Sequence, residues 1–127
     1  LGLTLGRHPL ALLRARGRRE GISTAIELQE ARDEARVHAA GIVTTRQRPG
    51  SAGGVTFVTL EDETGYINLI VWRQLAERQR RVLLVSRLMG VWGQVQRQGD
   101  VLHVVATCLE DHTALLGQLP SRSRDFS

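Results

Sequence analysis

Residues 41–72, which run GIVTTRQRPGSAGGVTFVTLEDETGYINLIVW, predict three consecutive β-strands joined by two very different connections. The first connection, residues 48–54, is long and rich in glycine. The second, residues 61–65, is short and acidic and places Gly65 where a tight turn needs a positive φ. A strand meander with one open loop and one tight turn is typical of the start of a small barrel.

The rest of the chain completes the pattern of such a barrel. Apolar residues alternate with period two from Val37 onwards, and a hairpin with Gly99 at its corner joins the last two strands. The predicted elements are a strand from Val37, strands over residues 55–60 and 66–72, a helix over 73–84, and strands over 88–97 and 101–109. This β-β-β-α-β-β order predicts an all-β protein with short helices, the five-stranded Greek-key barrel called the OB-fold.

The same alternation predicts which residues face the core. Gly41 lies mid-strand and would let the first strand bend sharply enough to serve two sheets. In the last two strands the core faces would carry Met89, Val91, Gly93 and Val95, and Leu102, Val104 and Ala106. In the first strand, Val37, Ala39, Gly41 and Val43 share one face, and His38, Ala40, Ile42, Thr44, Arg46 and Arg48 share the other, outward face.

Helical segments are expected before the barrel. Pro9 is placed to open a short helix, and Thr24 and Glu27 have the spacing of a capping box, which predicts a second helix over residues 25–32. The apolar face of this second helix is weak, so we expect it to lean on the barrel rather than build a core. The polar tail from Pro120 is expected to be loosely held. The predicted organisation is a helical linker at 1–35, the barrel at 36–110 and a C-terminal tail at 111–127.

Charge and composition narrow the class of partner. The net charge of +4 and the pI near 10.9 favour an anionic partner, and nucleic acid is the commonest one for a soluble domain. All 17 basic residues are arginine, which suits bidentate phosphate and base contacts, although a GC-rich genome would also explain the absence of lysine. The single Cys108 fits a reducing cytosol, and neither a membrane-spanning apolar run nor a signal peptide occurs. Because the chain begins with Leu1 rather than methionine, we expect it to belong to a longer protein.

Several stretches resemble the C-terminal end of the bacterial error-prone DNA polymerases, C-family relatives of the replicative polymerase III alpha subunit. The stretch at residues 41–72, the stretch RLMGVWGQVQRQGDVLHVVA, the closing SRSRDFS and the opening LGLTLGRHPLALL carry the resemblance, which covers nearly the whole chain. The RQRPG loop with FVTLEDETG and the terminal SRDF are its most specific parts. The resemblance places this chain in the C-terminal OB-fold region of such an enzyme.

That resemblance implies translesion synthesis and DNA repair by a nucleotidyltransferase. Its catalytic aspartates and two magnesium ions would lie N-terminal to Leu1, so this fragment is expected to hold neither a catalytic residue nor a metal. The chain shows no clamp-binding peptide. The resemblance implies instead that accessory mutagenesis proteins, including a catalytically inactive relative of Y-family polymerases, recruit the enzyme in the cytoplasm.

Candidate residues for binding single-stranded template DNA lie around the predicted loops. Arg46 and Arg48 precede the glycine-rich loop and would contact phosphates, with ordinary solvated charge as the alternative. Phe57 would either stack on a base or, slightly favoured, fill the core. Arg97 and His103 flank the last hairpin, whose loop helps to clamp ligands in OB-folds.

Other candidates suit a protein interface, which is the alternative function. Trp72 and Trp92 both lie opposite the aliphatic faces of their strands, so exposure is expected for both. Trp72 could serve DNA stacking or a protein contact, whereas Trp92 suits an interface or a seat for the N-terminal helices. The remaining partner-binding candidates are Arg78 and Arg81 on the basic helix, which also carries Arg73 and Arg80, and Phe126 in the tail.

Catalytic and metal motifs are missing from the sequence. Residues 61–63 are acidic, but neighbouring strand residues point in opposite directions, so a turn with solubilising charge is expected rather than a metal site. The histidines and Cys108 lack zinc-ligand spacing, and the glycine-rich loop lacks the Lys-Ser/Thr of a phosphate-binding loop. A third, disfavoured possibility is the anticodon-binding barrel of a class II tRNA synthetase, which shares the FVTLED-like strand.

Overall fold

The computed structural model describes residues 22–48 and 53–118. The helix predicted after Pro9, the tail from Pro120 and Phe126 lie outside the described residues. In chain order the elements are β1 (Ile22–Ser23), α1 (Ala25–Leu28), β2 (Arg36–Gln47), β3 (Thr56–Asp62), β4 (Gly65–Val71), α2 (Arg73–Arg78), α3 (Arg80–Val85), β5 (Leu88–Gln98), β6 (Val101–Asp111) and a 3-10 helix (Thr113–Gln118).

Strands β2 to β6 form a closed barrel. β2 pairs antiparallel with β5 along residues 36–42 and with β3 along residues 42–47. β3 pairs with β4, β4 pairs in parallel with β6, and β6 returns antiparallel to β5, which closes the ring. This topology confirms the predicted five-stranded OB-fold, and β1 adds a short parallel strand on β2 at His38 and Ala39.

Gly41 stands where β2 passes from one neighbour to the other. A Cβ at this position would lie 2.8 Å from the Cβ of Leu60 and 2.9 Å from the carbonyl oxygen of Glu61. Only glycine allows the two strands to approach this closely. The predicted sharp bend of the first strand, which serves both halves of the barrel, is confirmed.

The predicted helix between the third and fourth barrel strands is divided in two. α2 ends and α3 begins around Gln79, whose φ of −115° and ψ of 38° are not helical. Its side-chain amide donates to the carbonyl oxygen of Leu109 at 2.9 Å and accepts from the backbone N–H of Leu109 at 2.7 Å. This pair of hydrogen bonds ties the helical break to β6.

The barrel interior is filled by the alternating apolar residues. The predicted core faces of β5 and β6 are buried, as are Val58, Leu60, Ile67 and Leu69 on β3 and β4. Ala25 and Leu28 of α1 are also buried in this core, so the prediction that this helix only leans on the barrel is wrong. A second, smaller cluster outside the barrel wall packs Leu115 of the 3-10 helix against Ala40 and Leu88.

Asp62 explains how α1 is held in the core. This side chain is 4% exposed, and its Oδ2 accepts from the backbone N–H of Ala25 at 2.7 Å. Its Oδ1 accepts from the backbone N–H groups of Thr64 and Gly65. The carboxylate therefore stabilises both the turn and the start of α1, and its predicted role as solubilising charge is wrong. The capping box predicted from Thr24 and Glu27 is present.

None of the helices in residues 22–48 and 53–118 combines the length and apolar character needed to cross a lipid bilayer.

Candidate nucleic-acid interface

The outer surface of β3 and β4 carries aromatic and polar side chains in register. We define the outer face as Phe57, Thr59 and Glu61 on β3 with Tyr66, Asn68 and Ile70 on β4. Their direct cross-strand pairs are Phe57 with Ile70, Thr59 with Asn68, and Glu61 with Tyr66. The residues between them point into the core, so the strand alternation that builds the barrel also builds this face.

Phe57 belongs to the outer face rather than to the core. Its side chain is 37% exposed, whereas Val58 is 1% and Thr56 is 6% exposed on the opposite side of the same strand. The prediction that Phe57 fills the core is therefore wrong. The cause is the parity of β3, because the buried set is Thr56, Val58, Leu60 and Asp62, which includes two polar residues.

The outer face continues on both sides of Phe57. Ile70 pairs with Val105 on β6, and His103 lies two residues earlier on that strand, half-buried and on the same side. Trp72 follows β4 on the outward parity and is 55% exposed. The structure thus brings Phe57, Trp72 and His103 to one side of the barrel.

The chemistry of this face suits unpaired bases. Tyr66 is 60% exposed, so two aromatic rings on neighbouring strands and the nearby indole of Trp72 are open to stacking. Thr59 Oγ1 lies 3.4 Å from Asn68 Oδ1, and this pair places an amide and a hydroxyl beside the rings. Thr59, Asn68 and Ile70 were not among the predicted site residues, although the period-two pattern of the third strand already put Asn68 and Ile70 opposite the core.

A second feature is a groove between the barrel and the two helices, which we call the arginine groove. It encloses about 270 Å³ and lies between the end of β2, the start of β3 and helices α2 and α3. Four arginines and one carboxylate contribute to it. Its lining residues are Arg46, Gln47, Arg48, Gly54, Thr56, Arg73, Ala76, Glu77, Arg80, Leu83 and Leu84.

A β-bulge turns Arg46 and Arg48 toward this groove. The register of β2 against β3 shifts between Val43 and Thr45, so the alternation of faces reverses at this point. Arg46 consequently pairs with the inward-facing Val58, not with an outward-facing residue. The predicted outward position of Arg46 and Arg48 is wrong, because one extra residue in a strand exchanges its two faces.

Arg46 is held in place by the end of α3. Its Nε donates to the carbonyl oxygen of Leu83 at 2.7 Å, and a terminal guanidinium nitrogen donates to that of Ser86. A cation at the C-terminal end of a helix is stabilised by the unpaired carbonyl groups there. Arg46 therefore contributes fixed positive charge to the groove while two of its donor groups are used.

The other arginines of α2 and α3 divide between the groove and the solvent. Arg73 donates through Nε to Glu77 at 3.0 Å in an exposed i,i+4 pair. Arg80 lines the groove, whereas Arg78 and Arg81 are exposed on the same helices but do not line it. The sequence pattern alone could not show which arginines line the groove and which face the solvent, because the break at Gln79 sets the direction of α3.

Arg97 makes hydrogen bonds within the protein. Its guanidinium donates through Nε to the carbonyl oxygen of Ala31 at 3.1 Å and through a terminal nitrogen to that of Gln29. Its backbone N–H donates to the Asp33 carboxylate at 2.9 Å. These contacts connect the last hairpin to the segment after α1 and occupy the guanidinium that was predicted to contact DNA.

Trp92 lies on another wall of the barrel. It is 41% exposed, so the predicted exposure of both tryptophans is confirmed. Its ring stacks on the buried His38, and its Nε1 donates to Glu110 Oε2 at 3.1 Å. The Nε2 atoms of His38 and His112 lie 3.2 and 3.1 Å from Glu110 Oε1. No sequence motif indicates this cluster, and only the outward parity of His38 relates to it.

The surroundings of Glu110 change its acidity. Partial burial, the largest single influence, raises the pKa of this carboxyl group, and the hydrogen bonds with Trp92, His112 and His38 lower it. The net result is a pKa below the ordinary value. Within residues 22–48 and 53–118, no three His, Cys, Asp or Glu side chains are grouped so that they could hold a metal ion.

Comparisons with known proteins agree with this geometry. A family model described as an OB-fold nucleic acid binding domain matches residues 37–111. The chain is 59% identical over 126 residues to an error-prone DNA polymerase of Alkalilimnicola ehrlichii and 58% identical over 125 residues to one of Azoarcus sp.. These alignments cover 99% and 98% of this chain, which spans 12% of the length of each relative.

Solved structures share the fold at low sequence identity. An asparaginyl-tRNA synthetase of Pyrococcus horikoshii superposes with a TM-score of 0.60 at 23% identity, covering 71% of this chain and 22% of the other. The hypothetical protein ygiW of E. coli superposes with a TM-score of 0.53 at 14% identity, covering 70% and 87% of the two chains. At these identities the likeness extends to the fold alone.

Proposed function

This chain belongs to the family of OB-fold nucleic acid binding domains, and we propose that it binds single-stranded DNA across the outer face of β3 and β4. OB-folds bind oligonucleotides on the face formed by their second and third barrel strands, together with the loops beside it. In this chain those strands are β3 and β4.

The exposure of Phe57 is the observation that carries the proposal. A phenyl ring that is 37% exposed near the start of β3, paired with the half-buried Ile70, is a flat apolar platform on the side of the barrel that OB-folds use for binding. Stacking of a base on such a ring contributes about 1–3 kcal/mol and tolerates every base. Binding with little sequence preference follows.

The similarity to error-prone DNA polymerases supports a place for this module in such an enzyme. There it would hold the single-stranded template during translesion synthesis and repair in the cytoplasm. The magnesium ions of the polymerase reaction would be bound by other parts of that enzyme.

Fluorescence anisotropy with a labelled oligothymidine tests this function. The 127-residue chain is titrated at low and at physiological salt, beside a duplex of equal length and beside a tRNA competitor. Saturable binding that prefers the single strand and weakens with salt is expected, with a log–log slope of about 0.7 in magnitude per phosphate contact. Preference for the duplex or for tRNA, or no binding at low salt, contradicts the proposal.

A matched pair of variants tests the role of the outer face. Phe57→Ala should weaken oligothymidine binding by about 1–3 kcal/mol, because one stacking platform is removed. Val85→Ala is the control, since Val85 is also a half-exposed apolar residue, at 51%, but lies on α3 and lines neither the outer face nor the arginine groove. Equal effects of the two substitutions would refute the assignment.

A second candidate function is docking of accessory mutagenesis proteins, including a Y-family-like relative without polymerase activity. The observation that favours it is Trp92, which is fixed by His38 and Glu110 yet remains 41% exposed, as an anchor residue of an interface would be. Docking through this apolar surface should depend on salt much less than DNA binding does. Trp92→Ala should abolish capture of the partner while leaving oligothymidine binding unchanged.

A further inference from the structure

We propose that the arginine groove binds one phosphate group of the DNA strand, with its sugar, after the strand leaves the outer face. Arg48 and Arg80 would contact the phosphate oxygens. This inference rests on the proposed function, and it adds a second contact region on the far side of β3.

The size of the groove fits part of a ligand. At about 270 Å³ it falls just below the roughly 300–1,000 Å³ of pockets that enclose whole small molecules. It is bounded by the barrel on one side and by α2 and α3 on the other. One sugar and its phosphate fill such a space, while the neighbouring nucleotides remain outside.

The charge of the groove selects an anion. Glu77 is already paired with Arg73 at 3.0 Å, and Arg46 donates to the carbonyl groups at the end of α3. Within residues 22–48 and 53–118, the guanidinium groups of Arg48 and Arg80 have no hydrogen-bond or ion-pair partner. Two unpaired guanidinium groups beside a fixed third one form a site for phosphate oxygens, which guanidinium binds in bidentate fashion.

The apolar lining of the groove favours a nucleotide over a small inorganic anion. Ala76, Leu83 and Leu84 supply apolar surface, and Leu84 is 54% exposed. Apolar surface beside guanidinium groups matches the apolar carbons of a sugar that carries a charged phosphate. A free phosphate ion would leave that apolar surface in contact with water.

The outer face and the groove meet at the start of β3. Thr56 lines the groove, and the next residue, Phe57, faces the opposite side of β3. Gln47 pairs with Phe57, so Arg48 lies one residue beyond this pair. A strand that stacks a base on Phe57 therefore has its backbone close to Arg48.

A matched pair of double variants tests the inference in the 127-residue chain. Arg48→Gln with Arg80→Gln removes the two groove cations, and Arg78→Gln with Arg81→Gln removes the same charge outside the groove. The groove variant should lower the magnitude of the log–log salt slope for labelled oligothymidine by about 0.7, the value for one phosphate contact. The control variant should keep the wild-type slope.

Neutral backbone substitution gives an independent readout. A series of oligothymidines is used, each with one uncharged methylphosphonate linkage at a different position. At one position the substitution should lower the affinity of the wild-type chain and leave the affinity of the groove variant unchanged. If the two double variants have equal salt slopes and respond equally to the methylphosphonate series, the groove inference is overturned. The proposed function stands in that case, provided that Phe57→Ala still weakens binding. Absence of wild-type binding at low salt would overturn the groove inference and the proposed function together.

Discussion

The indole ring of Trp92 lies flat on the imidazole ring of His38, with the ring centroids 3.7 Å apart and the planes inclined by 14°. His38 is 3% exposed, so a half-exposed tryptophan rests on a buried partner. Glu110 contacts both rings, at 3.1 Å from Trp92 Nε1 and 3.2 Å from His38 Nε2. The exposed surface of Trp92 is therefore presented in one fixed orientation.

A double-mutant cycle should detect this stack. Replacing His38 and Trp92 by alanine, singly and together, should give a coupling free energy of about 0.5–1.5 kcal/mol in urea unfolding. Trp72→Ala is the comparison, because Trp72 is 55% exposed and surface substitutions change stability by about 0.5 kcal/mol or less. Additive effects of the two alanine substitutions would show that the stack does not contribute to stability.

The lowered pKa of Glu110 makes the free energy of unfolding depend on pH. A carboxyl group whose pKa is lower in the folded chain than in the unfolded chain stabilises the fold. This contribution is fully present above the unfolded pKa, here about 4.5, and is lost as the pH falls through the folded pKa. The urea midpoint should therefore fall as the pH drops below about 4.5. Glu110→Gln should reduce that fall, and a fall as steep as in the wild type would contradict the prediction.

Asp111 provides the comparison for this titration. Hydrogen bonds from the Thr113 hydroxyl and backbone N–H hold the pKa of Asp111 below its ordinary value of 3.8. Its contribution to stability should therefore begin to be lost only below about pH 3.8, whereas that of Glu110 begins to be lost below about pH 4.5. Asp111→Asn should flatten only the most acidic part of the urea-midpoint profile.

The order of elements could be predicted because it depends on local patterns. Period-two runs, the helical spacing after Trp72 and the glycine at each hairpin corner specify strands, helix and turns without knowledge of tertiary contacts. The helix break could not be predicted in this way. Gln79 leaves the helical conformation while its amide pairs with Leu109, a residue 30 positions away.

The candidate site was predicted less completely, and the bulge in β2 is the main reason. Counting alternate residues from Val43 puts Arg46 on the outward face, but the register shift before Thr45 reverses every later side chain. Phe57 was misplaced for a different reason. Alternation alone leaves both faces of this strand open, because Val55 shares the parity of Phe57 while Val58 and Leu60 lie on the other face, and the structure buries apolar residues of both parities.

Arg97 should matter for stability rather than for DNA affinity. Its guanidinium donates to the carbonyl oxygens of Ala31 and Gln29, so Arg97→Ala removes these hydrogen bonds and should lower the free energy of unfolding by about 0.5–1.5 kcal/mol. Arg78→Ala removes an exposed arginine and should change it by about 0.5 kcal/mol or less. If Arg97→Ala instead lowers the salt slope for oligothymidine with stability unchanged, Arg97 is a phosphate contact.

Two adjacent acidic residues should behave very differently. Asp62 is buried and accepts from the backbone N–H groups of Ala25, Thr64 and Gly65, whereas Glu61 is exposed on the outer face. Asp62→Ala leaves buried donors unsatisfied and should lower the free energy of unfolding by about 2–3 kcal/mol, while Glu61→Ala should change it by about 0.5 kcal/mol or less. Urea unfolding of both variants measures the difference.

Glu61→Ala should also strengthen oligothymidine binding, because it removes a negative charge from the face that we assign to DNA. Glu61 pairs with Tyr66, so unchanged affinity would place the strand away from Tyr66.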